Sequence, residues 1–137
     1  MKHLNLILAA VLVVLPFMEI IAQAQERPIV EVIYFHGLQR CRTCVALQKA
    51  AAETVQTKFA EGVKNGRVRL IVMDLSTREG AVLAEKYRIA WSSLIIVRKQ
   101  DGKERMANLT EWGFRYAVNH KARIQAMIER QINEFLR

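Results

Sequence analysis

Residues 29–47 read IVEVIYFHGLQRCRTCVAL, and this stretch decides the fold. Its first half is an apolar, β-branched run that is typical of a buried strand. From Cys44 onward, apolar residues recur every three or four positions as far as Phe59, which predicts one buried face of a helix. The stretch therefore predicts a strand, a short loop and a helix, with Cys41 and Cys44 where the helix begins.

Further along the chain, strand and helix patterns continue to alternate. Ser76 and Glu79 form a capping box that predicts a helix start, and Asn119 is expected to cap the last helix. Asp101-Gly102 predicts the tight turn of a β-hairpin. Asp74, which ends a strand, is expected at a turn, and Trp112 and Phe114 are expected in the core. The remaining strands are predicted at 68–73, 94–97 and 104–109; residues 110–118 give no clear pattern.

The predicted order of elements is β-α-β-α-β-β-α. The first crossover joins two parallel strands through a helix, whereas the closing hairpin is antiparallel. These connections predict an α/β fold with a mixed four-stranded sheet and helices on both faces, which is a three-layer α/β/α sandwich. The length of 137 residues suits one domain.

Residues 1–24 have the order of a secretory signal. A basic start is followed by a mostly apolar run and by Ala22-Gln23-Ala24, a small-x-small cleavage site. The cleanest apolar run, residues 6–18, is shorter than the roughly 20 residues that span a membrane. We expect a signal peptide at 1–24 and one domain at 25–137, exported to the periplasm. An uncleaved membrane anchor is the alternative.

Composition excludes several functions. The formal charge is +8, but the 21 Lys and Arg residues are spread along the chain, so no nucleic-acid partner is expected. Two cysteines do not complete a structural zinc site, which needs about four ligands, and a site with His36 and His120 would require distant residues to meet. We expect no metal and no cofactor. The chain shows no Ser/His/Asp arrangement, glycine-rich phosphate loop or paired carboxylates.

The chemistry of the chain is predicted to lie in Cys41-Arg-Thr-Cys44. The spacing puts both sulfurs on one side of a helical turn, near enough to form a disulfide. Cys41 lies where unpaired amides and the helix dipole favour a thiolate, and Arg40 and Arg42 add positive potential. We therefore expect Cys41 to have a lowered thiol pKa and to act as the nucleophile, with the more buried Cys44 as the resolving thiol. His36 is a further candidate for tuning Cys41.

These features resemble the thioredoxin-like superfamily, over roughly residues 28–136. The likeness lies in the strand before the CRTC turn, the strand that ends at Asp74, and the 94–97 strand with its Asp-Gly hairpin. Residues 34–44 look like a narrower branch of exported bacterial proteins, the ArsF-type nitroreductase subunits. The resemblance implies thiol–disulfide exchange: Cys41 attacks a partner disulfide, and Cys44 displaces the partner from the mixed disulfide.

Two departures from the thioredoxin pattern are visible. Thioredoxins present a cis-proline loop to the cysteine pair, whereas this chain has Trp91-Ser92-Ser93 there, for which we predict trans peptide bonds. Docking of a partner at this loop is therefore in question, although Trp91 is a candidate apolar rim. Thioredoxins also bury an acid six residues before the first cysteine, and Phe35 occupies that position. No internal proton acceptor is visible, so we expect a slower or partner-assisted resolving step.

The sequence thus predicts an exported, monomeric thiol–disulfide oxidoreductase that acts on protein thiols and disulfides. The flanking arginines should favour the reduced form and make the pair more oxidising than a cytosolic thioredoxin. One alternative is a dedicated electron-relay subunit between a membrane thiol reductase and one reductase partner. Another is a binding module in which the disulfide is only structural. No flavin or nicotinamide motif is present, so no direct nitroreduction is assigned.

Overall fold

The computed structural model describes residues 26–137. The predicted signal peptide, residues 1–24, lies outside this range. Among the described residues, no helix has the length and apolarity that a membrane crossing requires. The strands are β1 (Ile29–His36), β2 (Val68–Asp74), β3 (Ser93–Gln100) and β4 (Lys103–Asn108). The helices are α1 (Arg42–Lys58), α2 (Ala60–Lys64), α3 (Arg78–Tyr87), α4 (Thr110–Tyr116) and α5 (Lys121–Leu136).

The four strands form one mixed sheet in the order β2-β1-β3-β4. β1 pairs with β2 in parallel and with β3 antiparallel, and β3 pairs with β4 antiparallel. Asp101 and Gly102, with φ angles of 51° and 70°, turn the β3–β4 hairpin, so the predicted turn is confirmed. This register brings the end of β1, the end of β2 and the start of β3 to one edge of the sheet.

The side chains of β1 alternate between the two faces of the sheet, so each face has an apolar surface that helices cover. Val30, Val32 and Tyr34 pack with α1 and α5 in the larger core. Ile33 and Phe35 pack beneath α3 in the smaller core. The predicted three-layer α/β/α fold with a mixed four-stranded sheet is therefore confirmed. The larger core lies directly below the start of α1, where the cysteines are.

Helix ends are where the sequence interpretation was wrong. The side chain of Thr77, not Ser76, caps α3 by accepting the Gly80 amide, because the Ser76 hydroxyl donates to Asp74 instead. His120, not Asn119, precedes α5, and its side chain makes no capping bond.

Residues 110–118, which gave no clear pattern, contain the short helix α4. Trp112 on α4 was expected in the core, but 38% of its surface is exposed, since Gly113 is the residue that faces α1.

Candidate redox site at the start of the first long helix

Cys41 and Cys44 are joined as a disulfide at the amino-terminal end of α1, with their Cα atoms 5.0 Å apart. Cys41 is the N-cap and is exposed, whereas Cys44 is 6% exposed. The Cys44 amide donates a hydrogen bond to the Cys41 sulfur, with 3.1 Å between nitrogen and sulfur. One sulfur is thus open to a partner and accepts a hydrogen bond from a first-turn helix amide that has no intrahelical acceptor, which is the arrangement that stabilises a thiolate.

The two arginines beside Cys41 remain exposed. The Arg40 guanidinium donates to the side-chain oxygen of Gln48 on α1, and Arg42 is the first residue of that helix. Neither arginine takes part in the ion pairs found within residues 26–137. Neither charge is therefore paired with a described carboxylate at ion-pair distance, although the Arg40 charge also reaches Asp74, and both charges lie beside Cys41 and whatever approaches it.

His36 ends β1 directly opposite Asp74, the last residue of β2. The His36 Nδ1 atom lies 3.1 Å from the Gly37 carbonyl oxygen. The Asp74 carboxylate accepts the hydroxyl and the amide of Ser76, at 2.7 and 2.8 Å. These two bonds lower the pKa of Asp74, and the bond from the Ser76 hydroxyl has the larger effect. The charges of His36 and Arg40 act in the same direction. Asp74 thus shapes a turn, as predicted, at the edge of the sheet from which the CRTC segment leaves.

The polar group beneath the cysteines is one that the sequence interpretation missed. Tyr34 is fully buried, and its hydroxyl donates to the carbonyl oxygen of Cys44 at 2.9 Å. Phe35, reached by counting back six residues, lies on the other face of the sheet in the core beneath α3. The alternation of β1 was the available signal, because it places Tyr34 on the face that α1 covers.

The loop before β3 lies at the same edge of the sheet. Trp91 is 69% exposed, Ser92 is half-buried, and the buried Ser93 begins β3 opposite Phe35. The Ser93 hydroxyl donates to the Trp91 carbonyl at 2.9 Å. No cis peptide bond occurs in residues 26–137, so the predicted trans geometry of this loop is confirmed.

A cleft of about 570 Å³ separates this loop from α4. Its apolar walls include Trp91, Trp112 and Phe114, and Arg88 stands among its lining residues. The two cysteines are not part of the lining. The cleft therefore lies beside the disulfide edge of the sheet and does not enclose the sulfurs.

The weaker zinc interpretation needed His36, His120 and both cysteines to meet. His120 instead packs edge-on against Tyr116, with ring centroids 6.0 Å apart, and the cysteines are bonded to each other. Within the described part of the chain, no group of three or more His, Cys, Asp or Glu side chains is arranged to hold a metal ion.

The strand order, the pairing directions and the disulfide at the start of α1 together define a thioredoxin-like fold. Among solved structures, the chain is similar to a thioredoxin from Thermus thermophilus, studied in solution. The two share 17% identity over 77% of this chain and 74% of that chain, with a TM-score of 0.47. No family model and no curated protein matches the chain. The fold class accordingly rests on the topology and on the position of the cysteine pair.

Proposed function

We propose that this protein is a thiol–disulfide oxidoreductase in which Cys41 is the nucleophile and Cys44 the resolving thiol. The observation that carries the proposal is the unequal setting of the two bonded sulfurs. Cys41 is exposed and accepts the Cys44 amide, whereas Cys44 is buried one turn into the helix. A disulfide with only a structural role gains nothing from one exposed sulfur at a helix terminus, where it is open to attack.

In the proposed exchange, the two thiols of Cys41 and Cys44 react with one partner disulfide. The Cys41 thiolate attacks a partner sulfur, the partner S–S bond breaks, and the first partner thiolate leaves. Cys44 loses its proton to solvent and attacks the Cys41 sulfur, which releases the second partner thiolate. Two electrons pass from the dithiol to the partner, and solvent protonates the released thiolates. The reverse sequence oxidises a partner dithiol and leaves Cys41 and Cys44 reduced.

The setting proposed for this exchange is the periplasm. The support is the signal-like order of residues 1–24 and the fact that a close cysteine pair is useful in an oxidising compartment. The proposed partners are protein thiols and disulfides, with a membrane thiol reductase as the source of electrons when the pair acts as a reductant. Nucleic acid is not among them. The chain is proposed to act as a monomer, and contact with the membrane is proposed only for the alternative in which the leader stays uncleaved.

A second candidate is a dedicated relay subunit with a single reductase partner, of the ArsF-type nitroreductase-subunit kind. The observation that favours it is the exposed Trp91 beside an aromatic cleft. A large side chain held at a rim gives a defined contact for one partner, because aromatic side chains dominate interface energies. The nitro-group chemistry would then belong to the partner, since this chain has no flavin or nicotinamide motif.

The test is a trap. Cys44→Ser in the full-length chain should accumulate partners bound through a mixed disulfide to Cys41, because the resolving thiol is gone. Cys41→Ser is the matched control, with the buried thiol as the remaining cysteine. Many trapped partners support the general oxidoreductase, and a single partner supports the relay. Equal capture by both variants, or none by Cys44→Ser, would overturn the proposal in favour of a structural disulfide.

A further inference from the structure

The side chain of Tyr34 forms a hydrogen bond from the sheet to the first turn of α1. Tyr34 lies on the face of β1 that α1 covers and has no exposed surface. Its hydroxyl spans from the sheet to the helix and donates to the Cys44 carbonyl at 2.9 Å. In a helix this carbonyl already accepts an amide four residues further on, so Tyr34 uses its second lone pair. The bond is therefore an addition to the helix and not a replacement for one of its own bonds.

The Tyr34 bond continues to Cys41 through one peptide unit. The Cys44 carbonyl belongs to the same peptide group as the Val45 amide, and that amide donates to the Cys41 carbonyl at 3.0 Å. Hydrogen bonds in such a chain polarise one another, so a donor on the carbonyl makes the amide a better donor. The neighbouring Cys44 amide donates to the Cys41 sulfur. Cys41 is thus held at its carbonyl and at its sulfur by two amides of the turn that Tyr34 fixes.

We propose that Tyr34 is a positioning residue for the cysteine pair: its buried hydroxyl fixes the Cys44 carbonyl and so keeps Cys44 in line to close the disulfide with Cys41. This inference rests on the proposed thiol–disulfide exchange. It assigns to a strand residue the control of the resolving step. Attack of Cys44 on the Cys41 sulfur needs the two side chains at a fixed separation, and a held turn reaches that geometry more often.

Tyr34 does not take the proton of Cys44. Its hydroxyl is already a donor in the bond to the Cys44 carbonyl. Burial raises the pKa of Tyr34 above the ordinary value, and the Arg40 charge offsets only part of that rise. The phenol therefore stays protonated at neutral pH, and the Cys44 proton goes to solvent. The contribution of Tyr34 is geometric and dipolar.

The experiment compares Tyr34→Phe with Tyr87→Phe in the full-length, reduced protein. Both variants lose one phenol hydroxyl, but that of Tyr87 lies 3.4 Å from Glu104 and on the α3 side of the sheet. The probe is an aromatic disulfide reagent whose released thiolate is coloured. Attack by Cys41 releases one equivalent, and ring closure by Cys44 releases the second. The two phases separate nucleophilic attack from resolution in one recording.

For Tyr34→Phe, the second phase should slow by roughly three- to tenfold, the factor that corresponds to one lost hydrogen bond. The first phase, compared at equal thiolate fraction, should stay unchanged, and Tyr87→Phe should match the wild type in both phases. An unchanged second phase, or an equal slowing in both variants, overturns the role of Tyr34. A wild-type protein that releases no second equivalent instead overturns the proposed function.

A second arm does not rely on removing the hydroxyl. The chain has three tyrosines, so fluorinated tyrosine in a Tyr87→Phe, Tyr116→Phe background labels position 34 alone. The more acidic phenol is a stronger donor to the Cys44 carbonyl. Its expected effect is a second phase faster than that of the same background with ordinary tyrosine. A slower or unchanged phase counts against the proposal.

Discussion

A Cβ atom placed on Gly113 would lie 2.6 Å from the Cδ2 atom of Leu47. Leu47 is fully buried on α1, on the turn after Cys44, and Gly113 is the middle of α4. The backbone of α4 therefore rests directly on the side chain that follows the redox pair. This contact is why the helix bearing Trp112 covers the start of α1.

Gly113→Ala should destabilise the protein although alanine is the better helix former. The alanine methyl must displace the buried Leu47 side chain, and an approach of 2.6 Å puts the cost in the upper part of the overpacking range, about 2–3 kcal/mol, against a gain of about 1 kcal/mol in helix propensity. The expected net loss is about 1–2 kcal/mol in the free energy of unfolding by urea. Gly37→Ala is the control, because nothing lies within 4 Å of a Cβ there. Equal stability of both variants would show that α4 does not pack as closely as the structure has it.

Glu31 is a charged residue inside the sheet, 6% exposed. Its carboxylate lies 2.6 Å from the Lys99 amine and 3.8 Å from the Arg69 guanidinium. Lys99→Met should cost about 1–3 kcal/mol of stability, less than a fully buried pair, because Lys99 is partly exposed and Arg69 remains. Urea unfolding measures this loss.

Replacement of both partners tests the cause of that loss. In Glu31→Leu with Lys99→Met, no unpaired carboxylate is left, so much of the lost stability should return. A double variant that is less stable than Lys99→Met alone would show that the pair stabilises the sheet by more than it costs to bury.

Acid should weaken the fold in part through Glu104. A hydrogen bond from Lys86, at 2.8 Å, is the main cause that lowers the pKa of Glu104. A carboxyl whose pKa is lower in the folded state stabilises the fold above its unfolded pKa, and this contribution is lost as pH falls through the folded value. Glu104→Gln should therefore be less stable than the wild type at pH near 7, and the difference should shrink below pH of about 4.

Urea unfolding at several pH values measures the effect of Glu104→Gln. Glu129→Gln is the control, because Glu129 takes part in no ion pair found within residues 26–137. A Glu104 variant whose deficit stays constant with pH would indicate lost packing and not a lost charge.

The order of elements and the place of the cysteines were predictable because they depend on local patterns. The run at 29–35, the helical spacing after Cys44 and the Asp101-Gly102 turn each signal their structure without reference to distant residues. The predicted order of burial of the two cysteines followed from the same helix start, and it agrees with the structure.

What the sequence interpretation missed depends on register between distant segments. The role of Tyr34 appears only when α1 lies across β1, and the partners of Glu31 come from two neighbouring strands. Counting residues back from Cys41 did not reveal Tyr34 for a related reason. A fixed count presumes one loop length between the strand and the cysteine, whereas the face of the strand decides which side chain points at the helix.

The charges beside Cys41 should set its acidity. Arg42 is exposed and forms no ion pair with the described residues, so its potential reaches the Cys41 sulfur without a neutralising partner. We expect the reduced wild type to have a Cys41 pKa below the ordinary thiol value of about 8.5. Arg42→Glu should raise this pKa, and added salt should reduce the difference between the variants because it screens exposed charges.

Thiolate absorbance as a function of pH measures the Cys41 titration, in a Cys44→Ser background that leaves one thiol. Arg123→Glu is the charge-matched control, because Arg123 lies on α5, over the ring of Tyr116, and not beside the cysteines. A lower Cys41 pKa stabilises the reduced form of the cysteine pair and makes the disulfide a stronger oxidant. Because Arg42→Glu raises this pKa, the two-cysteine chain that carries it should be a weaker oxidant of a protein dithiol. A wild-type pKa at or above the ordinary thiol value would contradict this account, since the helix amides and the arginines would then leave Cys41 no more acidic than a free thiol.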